Sequence, residues 1–201
     1  VIINSKKTLN LTFDVTPHHM LLNNSIYKRY NGLAKVYPPL RTEFDNKMLQ
    51  DLVAKGYVDA ITTDHAPHSL EEKTKGYRDA LPGFPGLEYC LPLLLTLSSH
   101  GIVSLQRVVE CYSKIPAKIL GVNGLFGEIK VGAYGSLVVV DLKREFKIDP
   151  SKSFSKAKYT PFEGWRVKGK PIATFIRGTL VFEEDTLHVS RGFGKHVRVK
   201  S

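Results

Sequence analysis

VDAITTDHAPH, residues 58–68, sets a continuous, partly β-branched run against one carboxylate and two imidazoles. A run such as Val58–Thr63 is the mark of a strand buried in a parallel sheet, and its carboxyl end delivers Asp64. Upstream, Thr42 and Asp45 have capping-box spacing, and Phe44, Met48, Leu49, Leu52 and Val53 follow at helical intervals. Gly56 is placed to stop that helix in a left-handed cap. Further back, LTFDV (11–15) reads as a short strand ending at Thr16-Pro17. A loop-rich region with Asn23-Asn24, Asn31-Gly32 and Pro38-Pro39 separates it from the helix. Strand, loop, helix, strand is the order of an α/β barrel or a doubly wound sheet.

Downstream, residues 86–99 predict a mostly apolar helix. Ser104 opens a second, with Leu105, Val108, Val109 and Tyr112 on one face, and a third starts near Pro116 and closes at Gly121. Beyond Gly121 the texture changes. SLVVVDL (136–142), ATFIR (173–177) and TLVFE (179–183) predict strands, with a hairpin or bulge at Arg177-Gly178-Thr179. The expected organisation is an α/β part over residues 1–121 and a small β-rich domain over residues 122–201, packed beside it.

Composition narrows the function classes. Of 201 residues, 42% are apolar and 10% aromatic, enough for a real core, so disorder is excluded. No stretch approaches the ~18 uninterrupted apolar residues of a membrane span. The opening VIINSKK lacks a signal core, and Cys90 and Cys111 sit in helix-like contexts that suit buried thiols. A cytoplasmic location without membrane contact is expected. The first residue is Val, which predicts that the chain belongs to a longer polypeptide. The net charge of +10 is uneven: residues 142–201 carry 14 Lys+Arg against 6 Asp+Glu. With no helix-turn-helix or cysteine–histidine finger, this excess reads as a solvated basic face rather than a nucleic-acid site.

Chemistry concentrates in a few places. Asp64, at the mouth end of its strand, can bind a metal and exchange a proton with an activated water; His68 can hold an anionic group. Alternatively, Asp64 caps the following turn and the histidines are ordinary loop residues. In Thr16-Pro17-His18-His19 the adjacent imidazoles point apart, so strand-end packing is the expected role. Pro82-Gly83-Phe84-Pro85-Gly86-Leu87-Glu88 is a rigid small-residue loop entering a helix, able to bring backbone groups close to a flat ligand or to serve as a plain connection. Arg41, closing Lys35-Val36-Tyr37-Pro38-Pro39-Leu40-Arg41, is a carboxylate clamp or a surface arginine.

Taken together, DVTPHH (14–19), KVYPPLR (35–41), DAITTDHAPHSLEEK (59–73) and PGFPGLE (82–88) resemble the second half of dihydroorotases. So do IPAKILG (115–121), VGAYGSLVVVDL (131–142) and TPFEGWRVKGKPIATFIRGTLVFE (160–183), segments shared with the cyclic-amidohydrolase group of the amidohydrolase superfamily. The resemblance implies the C-terminal part of a (β/α)8 TIM-like barrel plus a small accessory β-sandwich. It implies zinc-dependent, reversible interconversion of N-carbamoyl-aspartate and dihydroorotate in pyrimidine biosynthesis, and homodimerisation. By the same resemblance Asp64 is a metal ligand, general base and proton donor to the leaving nitrogen. His68 holds the substrate carboxylate, Pro82 and Gly83 face the pyrimidine ring through their backbone, and Tyr37 and Arg41 lie near the substrate. The two histidines of TPHH are not metal ligands.

The departures are equally specific. The family's His-x-His pair, its bridging carboxylate or carboxylated lysine and two later metal-binding histidines would precede Val1. Tyr37 stands where many members have Asn. One aspartate cannot hold a catalytic zinc, and 201 residues are short for a ~250-residue barrel with a second domain. The expectation is a C-terminal fragment, inactive alone. Two other readings compete: an allantoinase or dihydropyrimidinase on the same scaffold, and a non-catalytic partner of aspartate transcarbamoylase.

Overall fold

The computed structural model describes residues 2–197. In chain order the first part contains α1 (Ile2–Ser5), β1 (Asp14–Val15), α2 (Pro17–Leu21), α3 (Tyr27–Tyr30), α4 (Glu43–Ala54) and β2 (Ala60–Ile61). Then come α5 (Leu70–Lys73), α6 (Gly76–Asp79), α7 (Leu87–Ser99), α8 (Leu105–Val109) and α9 (Ile115–Ile119). The strands β3 (Leu137–Lys147), β4 (Arg166–Ile176), β5 (Thr179–Glu183) and β6 (Thr186–Leu187) close the order.

β1 and β2 are parallel, with Asp14 opposite Ala60 and Val15 opposite Ile61. The bonds Asp59 N–H to Phe13 O and Thr62 N–H to Val15 O, both 3.0 Å, carry the ladder one step further at each end. The paired region is shorter than the runs 11–15 and 58–63 suggest, because Leu11 and Thr12 lie exposed outside the pairing. The Thr62 hydroxyl donates to the Asp14 carboxylate, which ties the strands together at their carboxyl ends.

α4 starts where the sequence says it should. Thr42 accepts from Asp45 N–H while the Asp45 carboxylate accepts from Thr42 N–H at 2.8 Å, a reciprocal capping box. Gly56 follows it at φ 82°.

α7 is apolar nearly all round because it is a wall between two cores. Cys90, Leu94 and Leu97 face a cluster with Val15, Val53, Val58, Ile61, Val108 and Cys111. Tyr89 and Leu93 face a second cluster with Leu22, Val36, Phe84, Ile148, Tyr159, Phe162 and Val167. Both cysteines are free and buried, and burial pushes the Cys90 thiol up to about 12.

The helix opened by Ser104 departs from expectation. After Val109 the backbone widens into a π turn over Glu110–Lys114 before α9. Val108 and Cys111 point inward, while Leu105 and Val109, ahead of the turn, stay exposed, so the apolar face is narrower than the spacing predicts. Arg107, buried beneath this turn, donates to the carbonyls of Val53 and Val58 and fastens the helix to the start of β2.

The remaining strands form one antiparallel sheet in the order β3-β4-β5-β6. Its first two strands run well past the stretches predicted at 136–142 and 173–177. The register slips between Val139 and Val140, where Pro171 has no N–H to give, and again between Asp141 and Glu145. Arg177 and Gly178, at φ 51° and 80°, form the two-residue turn between β4 and β5, as expected of a hairpin. The sheet docks on α7 at Gly169, where a Cβ would meet Leu95 side-chain atoms at 2.7 and 2.8 Å. Thr96 Oγ1 accepts from Lys168 N–H at the same contact. Among the described residues there is one such sheet, and no helix is long and apolar enough to cross a membrane.

Candidate active site at the carboxyl end of the parallel strands

Leaving β2 at Ile61, the chain passes Thr62 and Thr63 and reaches Asp64 in the left-handed region, at φ 46°. That conformation is uncommon for any residue but glycine and is tolerated best by Asp and Asn. Asp64 is exposed, and among the described residues its carboxylate accepts no hydrogen bond. It does not cap the turn that follows. A free carboxylate at the open end of a parallel pair is available to a ligand or a proton.

His65 has a different task. Its Nδ1 accepts from Gly86 N–H at 3.1 Å and Leu87 N–H at 3.2 Å, so the neutral ring carries its proton on Nε2. The imidazole thereby caps α7, whose own N-cap residue is a glycine. His65 also bridges to Phe84, and Ala66 N–H donates to Phe84 O at 3.3 Å, so two loops run side by side like continuing strands. Their contact is close: a Cβ on Gly83, which sits at φ 117°, would lie 2.5 Å from the Ala66 Cβ. Only glycine fits there.

His68 closes over the same loop. Its Nε2 lies 2.9 Å from Pro82 O, and since a carbonyl only accepts, Nε2 carries the hydrogen. Nδ1 faces Glu72 Oε2 at 4.0 Å. The Ser69 N–H and hydroxyl hold the Glu72 carboxyl below its usual range, so an anion stands ready beside the ring. The backbone of His68 is clamped from the sheet side, where the Tyr159 hydroxyl accepts from His68 N–H and donates to His68 O, both at 3.2 Å. A recess of about 660 Å³ opens here between Pro67–Leu70 and Ser155–Tyr159.

The structure therefore brings His68, Pro82 and Gly83 into direct contact. Gly83 N–H is already engaged, donating to Lys35 O at 2.8 Å. Tyr37 is exposed, and its ring lies 5.6 Å from the Lys35 ammonium. Arg41 is exposed too, and its guanidinium makes no ion pair among the described residues. His19 links the end of β1 to the Tyr37–Arg41 loop, with Nδ1 on Thr16 Oγ1 at 2.7 Å and Nε2 on Pro38 O at 2.8 Å. His18 is buried against Phe84, and its Nε2 has no partner among the described residues. Neither imidazole of that pair is a free ligand, in line with the packing role expected of them.

The residues present do not fit a complete catalytic zinc site. Among the described residues no group of three His, Cys, Asp or Glu side chains converges on one point. Asp64 offers one oxygen donor where three or more protein ligands are the rule. Two residues that shape this loop escape a reading of the sequence, the helix-capping His65 and the buried Lys73 that underlies it, because their partners are backbone groups that carry no side-chain signature.

A model of the amidohydrolase family matches residues 23–181. The dihydroorotase of Pyrococcus furiosus is 46% identical over 177 residues, 88% of this chain and 41% of its own length. That of Methanothermobacter thermautotrophicus is 39% identical over 187 residues, 93% of this chain and 42% of its own length. Among solved structures, the L-hydantoinase (dihydropyrimidinase) from Arthrobacter aurescens superposes with a TM-score of 0.93 at 33% identity, over 96% of this chain and 44% of that one. The chain thus spans about two fifths of the length of the curated relatives it matches.

Proposed function

Because the chain belongs to the amidohydrolase family, with its α/β fold, we propose that it is the C-terminal part of a dihydroorotase. The complete protein then interconverts N-carbamoyl-aspartate and dihydroorotate. Residues 1–121 contribute the last strands of a barrel and residues 122–201 one sheet of an accessory sandwich. The observation that supports this best is the free, left-handed Asp64 at the carboxyl end of β2, beside a loop fastened by His68. Curated dihydroorotases at 38–46% identity point to the same reaction.

In this reading Asp64 moves a proton to and from the amide nitrogen of the ring that opens or closes. His68, whose ring lies beside Glu72, binds the substrate carboxylate. The Pro82-Gly83 backbone lies against the flat ring, in a loop whose packing on Ala66 leaves no room for a side chain at Gly83. Arg41 and Tyr37, exposed on the neighbouring loop, border the carboxylate. Zinc would supply the polarisation of the carbonyl. Asp64 is the one ligand this chain provides, and the others would come from outside it. A homodimer in the cytoplasm, with aspartate transcarbamoylase as a candidate partner, completes the proposal.

The likeness to an L-hydantoinase favours one competing reading, a cyclic amidase for uncharged rings. Steady-state turnover of dihydroorotate, dihydrouracil, hydantoin and allantoin by the complete polypeptide separates the two. Dihydroorotate is expected to be preferred, with at least a hundredfold loss in kcat for Asp64→Asn, roughly the contribution of a general base. A preference for an uncharged ring would overturn the assignment, and no turnover of any of them would favour the non-catalytic partner.

A further inference from the structure

Lys73, the last residue of α5, has a relative exposure of 0%. No carboxylate pairs with it among the described residues. Its ammonium donates instead to Leu81 O at 2.7 Å and to Lys35 O at 3.2 Å. Lys35 O is also the acceptor of Gly83 N–H. Three consecutive loop residues are thus each tied once: Leu81 O by Lys73, Pro82 O by His68, and Gly83 N–H by the carbonyl that Lys73 holds. Both side-chain clamps come from one short segment, His68 just ahead of α5 and Lys73 at its end. Burial, and then the neighbouring Lys35, push Lys73 down to about 8, so the sealed position is unfavourable to its charge. A methionine of similar length would fill the space without that penalty, which leaves the two N–H···O bonds as the reason for an amine. Gly32 packs on the backbone of the same residue, where a Cβ would approach the Lys73 carbonyl oxygen to 2.5 Å.

We propose that Lys73 is the positioning residue of the substrate loop: by holding Leu81 O and Lys35 O it fixes the Pro82-Gly83 backbone in the posture that meets the ring. This rests on reading that loop as ring-facing. Lys73 acts through the loop and touches no reacting atom.

Lys73→Met and Lys73→Gln in the complete polypeptide test it, read by hydrogen exchange at the Gly83 amide and by the split between KM and kcat for dihydroorotate. Lys73→Met is expected to speed Gly83 exchange and raise KM, each roughly tenfold, with kcat within about twofold. Lys73→Gln, which keeps an N–H donor on a shorter stem, is expected to fall between parent and Met variant, and it decides the matter if the Met variant does not fold. A folded variant with parental Gly83 exchange and parental KM would overturn the proposal, even if its Tm is lower. Should the parent fail to turn over dihydroorotate, the functional reading fails by itself, and Gly83 exchange alone still decides whether Lys73 holds the loop.

Discussion

His18 and His19 are adjacent, yet one has both ring nitrogens engaged and the other is sealed with Nε2 unpaired. Burial, with the neighbouring His19 ring second, drives His18 down to about 3. Unfolding exposes an imidazole that binds a proton near 6.5, whereas the folded protein refuses it until about pH 3. Stability from this residue is therefore fully present above 6.5 and drains away as the pH falls towards 3, by up to roughly 5 kcal/mol. Urea unfolding across that range is expected to show the decline, and His18→Leu to flatten it. Single residues were legible in sequence where their chemistry is local. Asp64 and His68 stand out because a carboxylate and an imidazole follow a buried run. The work of Lys73 and His65 was not legible, because their partners are backbone groups, 8 and 38 residues from Lys73 and 21 and 22 from His65, which leave no mark at their own positions.

At the scale of elements, the helix α7 depends on a residue outside it. Gly86 offers no side chain to cap the first turn, and the His65 imidazole takes that place. His65→Ala is expected to cost about 1 kcal/mol of stability and to speed exchange at the Gly86 and Leu87 amides, seen by thermal unfolding and hydrogen exchange. Other elements announce themselves. The Thr42–Asp45 box, the stop at Gly56 and the Arg177-Gly178 turn all rest on contacts within a few residues, so the sequence carries them in full. The π turn over Glu110–Lys114 does not, since one extra residue per turn is invisible to a 3.6-residue pattern and rotates every later side chain. The ends of β1 and β2 were overestimated for a related reason: apolar runs show where a strand fits, while pairing decides how far it goes.

Across the whole molecule, one of the two cores ignores the change in texture at Gly121. Ile148, Tyr159, Phe162 and Val167 from the later residues share a cluster with Leu22, Val36 and Phe84 from the earlier ones. The sheet side also reaches the candidate site through Tyr159, and Glu88 at the start of α7 accepts from Phe154 N–H and Ser155 N–H, both at 2.9 Å. Tyr159→Phe keeps the buried ring and removes only the hydroxyl that clamps His68. The expected result is a loss of about 1 kcal/mol and a KM for dihydroorotate raised several-fold with kcat nearly intact, measured by unfolding and steady-state kinetics on the complete polypeptide. An unchanged KM would confine Tyr159 to packing.

Asp64 meets two demands that select different alphabets. Its backbone, at φ 46°, admits Gly, Asn and Asp with ease. Its proposed chemistry admits only the acids, Asp and Glu. The two sets intersect in a single amino acid. Asn therefore removes the charge while leaving the chain path undisturbed, whereas Glu keeps the charge and strains the path, so a failed Glu variant says little about the carboxylate itself.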